Sequence, residues 1–420
     1  MEKTNVFFEQ LLGIKRPWSI IRVTKDTALK RVDLYVEHDQ GVRFPCPVCE
    51  ALCPVYDHAP EREFRHLPIF QMASYLHLRI PRIQCPTHGV QQIVHGLAGP
   101  NATVSYELER MILEMEQECS LESVTRILGV DWHLCQELQE RAVERGLLRK
   151  PAGIPKRIGV DEKSFAKGHK YETLVYNIDA GTVEYVCDNR EQSSLESYYR
   201  RFTKEELASV EAIAMDMWDP FIAATKAFIP QANRKIVFDR YHIMRLIVKA
   251  VDDVRKQEHQ ALMEGNVNVL KGTKYFWLWN EENVPEYHRE EFEWLRSLDL
   301  KVCRARAIKE NFRNLWNYAT PGWMRHFFHD WFQWAVRSKL QPIIKAARTI
   351  KAHFENIATY AIHRITNALG ESLNSKIEKV KRIACGYRNR AHYRIAIYFH
   401  CGGLDLFPKR TAIPLQVIAP

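Results

Sequence analysis

Between Arg157 and Asp239 the chain changes character every few residues. RIGVDEKSF, YETLVYNID and TVEYVCD are short β-branched or aromatic runs separated by GHK and AGT turns. SLESYYRRF, VEAIAMD, PFIAATKAF and KIVFD come next as helix, strand, helix and strand. Three strands and then alternating helices and strands make an α/β sheet with helices packed on it. Such sheets bind ligands outside the carboxyl ends of their strands. Two acids fall at such ends: Asp161 closes Ile158–Val160, and Asp216 closes Ala212–Met215. Asp219 precedes Pro220 and reads as an N-cap. Glu162 is expected on the opposite face of the strand from Asp161.

From Ile243 to Tyr360 only helical periodicity appears, and seven tryptophans fall in that stretch. They read as core rather than as base-stacking platforms. In AIHRITNALGESLNSKIEKVKR, Ile362, Ile365, Leu369, Leu373, Ile377 and Val380 form an apolar stripe. His363, Asn367, Glu371, Asn374 and Glu378 share another face, which can look into an acidic site while the stripe anchors the helix. Carboxylates that converge in this way suit a hard cation such as Mg²⁺. Two such ions roughly 4 Å apart activate the attacking oxygen and stabilise the leaving oxygen in phosphoryl transfer.

The N-terminal stretch carries a different metal signature. Cys46 and Cys49 form C-x-x-C, and Cys85 and His88 form C-x-x-H, with strand-like residues between. Two such knuckles supply the four tetrahedral N/S ligands of one structural zinc, with Cys53 able to compete with Cys49. Further on, Ser120 opens a short helix marked by Leu121, Val124 and Leu128. Gly129 makes a turn, and Trp132 to Val143 forms a second helix. That pattern fits a helix-turn-helix as well as a plain helical hairpin.

The 46% hydrophobic content excludes a disordered chain, and no apolar window is long enough to span a bilayer. The N-terminus carries acids and lacks a signal-peptide pattern, so a cytoplasmic protein is expected. Its ten cysteines then read as buried thiols and metal ligands rather than disulfides. A net charge of +9 favours a polyanionic partner. Lys376, Lys379, Lys381, Arg382, Arg388, Arg390 and Arg394 crowd the helix of Glu371 and the segment C-terminal to it, as a DNA-binding run would.

These segments together resemble the ISL-three family of bacterial insertion-sequence transposases over nearly the whole chain. The resemblance rests on the paired knuckles, IGVDEKSF with GHKY after it, AIAMDMWDPF, FDRYHI and TNALGESLNSKIEKVKRIACGYRN. Asn367, Glu371 and Asn374 match the family's last motif, whereas Thr366 stands for its Ser and Ser372 for its Gly. Cys385-Gly386-Tyr387 stands where the family has Tyr-Gly-Phe. The resemblance implies a ribonuclease H-like core with Asp161, Asp216 and Glu371 as catalytic, Mg²⁺-binding (or Mn²⁺-binding) acids. It also implies that Asp239 and His242 lie near the site in supporting roles, with Asn367 and Asn374. Asp239 ends a strand as well and is the chief rival to Asp216.

The organisation expected is a multidomain α/β chain. A zinc ribbon-like module spans 1–98 and a helix-turn-helix 99–152. The first part of the core lies at 153–245, an all-helical insertion at 246–356, the core helix with Glu371 at 357–402 and a tail at 403–420. The function implied is metal-dependent cleavage and strand transfer at the terminal inverted repeats of an insertion sequence. Double-stranded DNA is the partner, on which the protein is a homodimer or higher and nucleoid-associated, with no membrane. The rivals are a DNA-binding repressor with a retired core and a structure-specific metal-dependent nuclease.

Overall fold

The computed structural model of the 420-residue chain describes residues 2–166, 170–365 and 368–409. Two compact units divide it: one from 1–150, 381–400 and 404–420, the other from 151–380 and 401–403.

In the first unit, α1 (Glu2–Leu12) precedes β1 (Trp18–Asp26), β2 (Arg31–His38), β3 (Arg43–Pro45), β4 (Leu52–Ile69), β5 (Met72–Cys85) and β6 (Gly89–Gln92). The strands lie in the order β1-β2-β5-β4-β3, with β6 against β5. Alternation sets the faces: Val32, Leu34 and Val36 of β2 are buried, and the residues between them are only partly covered. Three helices come after the sheet: α2 (Tyr106–Glu118), α3 (Leu121–Leu128) and α4 (Trp132–Arg149). Ser105, Ser120 and Asp131 cap them, and Gly129 ends α3 at φ 62°. The second helix of the expected pair therefore runs six residues beyond Val143. Leu108, Ile112, Val124, Leu138 and Val143 form the helical core, completed by Phe399 and Leu406 from the far end of the sequence. Arg145 donates to the Leu406 carbonyl, and Arg149 to that of Phe407.

The second unit is built on β7 (Arg157–Ala166), β8 (Lys170–Asn177), β9 (Thr182–Asp188), β10 (Ala212–Met215) and β11 (Ile236–Phe238). Helices α5 (Gln192–Tyr199), α6 (Lys204–Ser209), α7 (Asp219–Phe228) and α8 (Ala232–Lys235) lie between the later strands. The sheet order is β11-β10-β7-β8-β9. β7, β8 and β9 are antiparallel neighbours, and β10 runs parallel to both β7 and β11. Ile158, Val160, Val175, Ile213 and Ile236 are wholly buried. That is the pattern of strands covered on both faces.

Two local expectations change here. Asp161 does not close its strand, because β7 continues to Ala166 in its hairpin with β8. The parallel ladder with β10 stops at Gly159, so Asp161 still stands where that side of the sheet ends. Asp219 is not an N-cap: Trp218 holds that position and Asp219 is the first helical residue.

Helices α9 (Arg240–Glu264), α10 (Lys274–Leu278), α11 (Arg289–Ser297), α12 (Lys301–Phe312), α13 (Pro321–Arg337), α14 (Gln341–Ala352), α15 (Phe354–Ala358) and α16 (Tyr360–His363) come next. Trp277, Trp316 and Trp331 are core, whereas Trp294, Trp323 and Trp334 are exposed. The tryptophans therefore do not all serve the role read from the sequence. The single helix expected through Glu371 is also broken. Arg364 adopts φ 51° after α16, and a new helix, α17 (Ala368–Ile383), starts beyond it. Ile365, Leu373, Ile377 and Val380 are buried as the stripe requires, but Ile362, on the other side of the break, is 59% exposed. Among the described residues the last helix, α18 (Arg390–Cys401), supplies Phe399 to the first unit.

Candidate active site

Asp161, Glu162 and Asp216 each offer a carboxylate oxygen to one group whose members lie within 4.8 Å of one another. Glu162 was expected on the opposite face. Past Gly159 that edge of β7 has no paired strand, which leaves room for its side chain to reach the cluster. A second group joins Asp216, Asp239 and His242 within the same limit. Asp216 belongs to both.

Each acid is held differently. Asp161 Oδ1 accepts the Glu162 N–H at 2.8 Å, and Oδ2 accepts from Asn374 Nδ2 at 2.7 Å. Asp216 Oδ2 is 2.8 Å from His242 Nδ1, while Asp216 Oδ1 is buried and lacks a hydrogen-bond partner. Asp239 Oδ1 accepts the Tyr241 N–H at 2.9 Å, so this carboxylate caps α9. Burial, reinforced by the charge of Asp216, pushes the Asp161 carboxyl up to about 6. Burial likewise raises Glu162 and Asp239. The hydrogen bond to Asp216 raises His242.

Glu371 is exposed on the first turn of α17 and belongs to neither group. It lies three residues before Asn374, the spacing of one helical face. Its charge reaches both Asp239 and the Tyr176 hydroxyl. Lys163 joins the same helix to β7, donating to the Asn374 carbonyl at 3.2 Å and pairing with Glu378 at 3.0 Å. Asn367 lies outside the described residues.

Tyr176 was not singled out from the sequence. Its ring lies across Gly159, where a Cβ would come within 2.0 Å of it. The buried hydroxyl has no hydrogen-bond partner. Burial and then the charges of Asp161, Asp239, Asp216 and Glu371 raise it well above the usual phenol range. The only advance signal was a glycine inside a strand, which often marks a close approach.

In the first unit, Cys46, Cys49, Cys85 and His88 form a group within 4.8 Å. Cys49 and Cys85 sulfurs are 3.7 Å apart, and His88 Nδ1 is 3.7 Å from Cys46 and 3.6 Å from Cys85. A tetrahedron with metal–ligand bonds of about 2.0–2.3 Å has edges of roughly that length. The His88 backbone N–H lowers the Cys85 thiol to about 7 against the effect of burial. Cys53 stands outside the group, donating instead to the Ala51 carbonyl at 3.3 Å.

Of the basic run, Lys376, Lys379, Arg382 and Arg388 are exposed, and Lys381, Arg390 and Arg394 are partly covered. Among the described residues no helix is long and apolar enough to cross a membrane.

Residues 158–397 match a family model of ISL-three DDE transposases described as "Transposase". Residues 43–88, which span all four members of the cysteine–histidine group, match one described as "zinc-finger of transposase IS204/IS1001/IS1096/IS1165". The chain is 23% identical to the "Transposase for insertion sequence element IS1001" of Bordetella parapertussis, covering 84% of this chain and 87% of that protein. It is 24% identical to the "Transposase for insertion sequence element IS1557" of Mycobacterium tuberculosis, over 97% and 98% respectively. With more than half of its length in the transposase match, a zinc-ribbon-like N-terminal region and a carboxylate centre suited to divalent metal, the chain belongs to the ISL-three family of DDE transposases, enzymes that cut and rejoin DNA.

Proposed function

We propose that Asp161, Asp216 and Glu371 are the catalytic acids of a ribonuclease H-like core. They would hold Mg²⁺ or Mn²⁺, as two ions, for cleavage and strand transfer at the terminal inverted repeats of the element. The observation that carries this reading is the meeting of Asp161 and Asp216 within 4.8 Å beside the end of a parallel ladder, with Asn374 of α17 bonded to Asp161. The order β9-β8-β7-β10-β11, antiparallel for its first three strands and parallel after, supports the core assignment. Asp216 is favoured over Asp239 because Asp239 already caps α9, whereas Asp216 keeps a buried oxygen without a partner. Such an orphan suits a cation better than an apolar pocket.

The chain's own groups prepare the centre. Asn374 fixes one Asp161 oxygen, His242 fixes one Asp216 oxygen, and Lys163 holds α17 to β7. Bound divalent ions would supply activation of the attacking oxygen and charge stabilisation of the leaving one. Cys46, Cys49, Cys85 and His88 are read as the ligands of one structural zinc. The pair α3–α4 is read as a helix-turn-helix, and Lys376, Lys379, Lys381, Arg382, Arg388 and Arg390 as DNA contacts, on a dimer or larger assembly.

The test pairs a gel shift with a cleavage assay on element-end DNA. Asp161→Asn, Asp216→Asn and Glu371→Gln are each expected to lose at least roughly 10³-fold in cleavage and to bind DNA within about threefold of wild type. Asp239→Asn is expected to lose far less. Wild-type cleavage by any of the first three removes that residue from the centre.

A further inference from the structure

Beside the carboxylates is an arrangement that holding a metal does not require. Arg190, in the turn after β9, lies with its guanidinium carbon 4.4 Å from the ring centroid of Tyr171 and 4.6 Å from that of Trp218. The Trp218 indole N–H donates to the Arg190 carbonyl at 2.9 Å, so backbone and side chain are fixed by the same ring system. One guanidinium nitrogen meets Glu162 Oε1 at 3.3 Å, and Glu162 shares its cluster with Asp161 and Asp216. A cleft of about 440 Å³ opens here, lined by Tyr171, Asn189, Arg190, Gln192, Trp218 and Pro220 among others. Its size falls within the roughly 300–1,000 Å³ that takes a small ligand.

A purely structural role explains this poorly. The Arg190 side chain is 34% exposed, and an ion pair that accessible adds little stability. Of its five N–H donors, only one has a hydrogen-bond acceptor among the described residues. The guanidinium is therefore held close to two rings with most of its donors open. A flat fork of this kind matches phosphate oxygens, and aromatic stacking prepares it before the ligand arrives. The electrostatics point the same way. Asp161, Glu162, Asp216 and Asp239 repel a DNA phosphate, and a fixed cation touching one of them offsets that repulsion where the strand must enter.

We propose that Arg190, held against Tyr171 and Trp218, binds a DNA phosphodiester flanking the bond that is cut, and that the attached nucleotide occupies the cleft beside Trp218. The inference rests on the reading of Asp161 and Asp216 as the cleavage centre. It adds a substrate-positioning site on the β9–α5 turn and at the N-terminus of α7.

The experiment uses the full chain and duplexes of the element end, taken from the inverted repeats that bracket its reading frame. One phosphate at a time is replaced by a neutral methylphosphonate, and affinity is measured with Ca²⁺ in place of Mg²⁺. Wild type is expected to lose about tenfold at one linkage within roughly three nucleotides of the cut bond. Arg190→Gln is expected to bind the unmodified duplex about tenfold more weakly and to lose nothing further at that linkage, while responding normally elsewhere. Arg190→Lys keeps the charge without the flat fork and should bind several-fold more weakly; this variant serves if the Gln variant does not fold. Wild-type affinity in either variant overturns the proposal. So does a wild-type linkage profile in Arg190→Gln, or a protected linkage remote from the cut. Failure of the wider reading looks different: Asp161→Asn would still cleave, an outcome that the linkage profile does not measure.

Discussion

Asn374 donates to Asp161 across 213 residues of sequence, at 2.7 Å, and so ties α17 to β7. The bond also lowers the Asp161 carboxyl, which burial and Asp216 nevertheless hold up at about 6. A divalent ion binds the ionised form, so metal affinity should fall as pH drops through about 6. Asn374→Ala should move that inflection upward and weaken Mn²⁺ binding by roughly 10–100-fold, the usual effect of losing a ligand's hydrogen-bond partner. Calorimetric Mn²⁺ titrations across this pH range check both; an unshifted inflection would show that the bond does not tune the acid.

Tyr176 and Gly159 make a paired prediction. A buried hydroxyl without a partner costs about 1–3 kcal/mol, so Tyr176→Phe should raise the melting temperature of metal-free protein. The same change should slow metal-dependent cleavage, because it removes a buried hydroxyl on which the charges of Asp161, Asp216, Asp239 and Glu371 act. Gly159→Ala should destabilise strongly, since its Cβ has no room beneath the ring. Adding Tyr176→Ala to Gly159→Ala should recover part of that loss. Equal melting temperatures for all four proteins would show that the ring does not rest on the glycine.

The cysteine–histidine group predicts a chelator-sensitive first unit. Cys46→Ser should lower zinc content below one per chain and expose the β4–β5 core to proteolysis. Zinc content and limited proteolysis measured together test it. Full zinc in the variant would mean that the ligand set is wrong.

Glu116 of α2 gives a pH dependence of stability. Burial pushes its carboxyl up to about 8, with Gln139 acting in the opposite direction. The folded state therefore keeps a proton that the unfolded chain releases near its ordinary value. Stability from this group is present at low pH and lost as pH rises towards about 8. Glu116→Gln should be nearly neutral near pH 5 and stabilising by a few kcal/mol above about pH 8. Thermal melts of both proteins at the two pH values decide it.

What the sequence revealed came from period and punctuation. The strands leading to Asp161, Asp216 and Asp239 were legible because apolar runs stop at acids, although β7 itself runs on to Ala166, and Ser120 and Gly129 because capping is local chemistry. The break at Arg364 was hidden. A left-handed arginine leaves no compositional mark, and its guanidinium is held by the Tyr318 carbonyl 46 residues earlier. Glu162 was misread for a similar reason: alternation predicts faces only where neighbouring strands continue. The stack of Tyr171, Arg190 and Trp218 joins three separate segments, and no window of sequence contains it.

The first unit is closed by residues made long after its own helices. Phe399 and Leu406 fill its helical core, and the carbonyls of Leu406 and Phe407 receive the arginines of α4. A ribosome that has finished residues 1–150 has therefore not finished that unit. A message broken before Phe399 yields a chain whose helical core lacks those side chains, and such a chain is expected to be cut by proteases sooner than the full one. Synthesis of α18 and full assembly of the first unit are thereby linked.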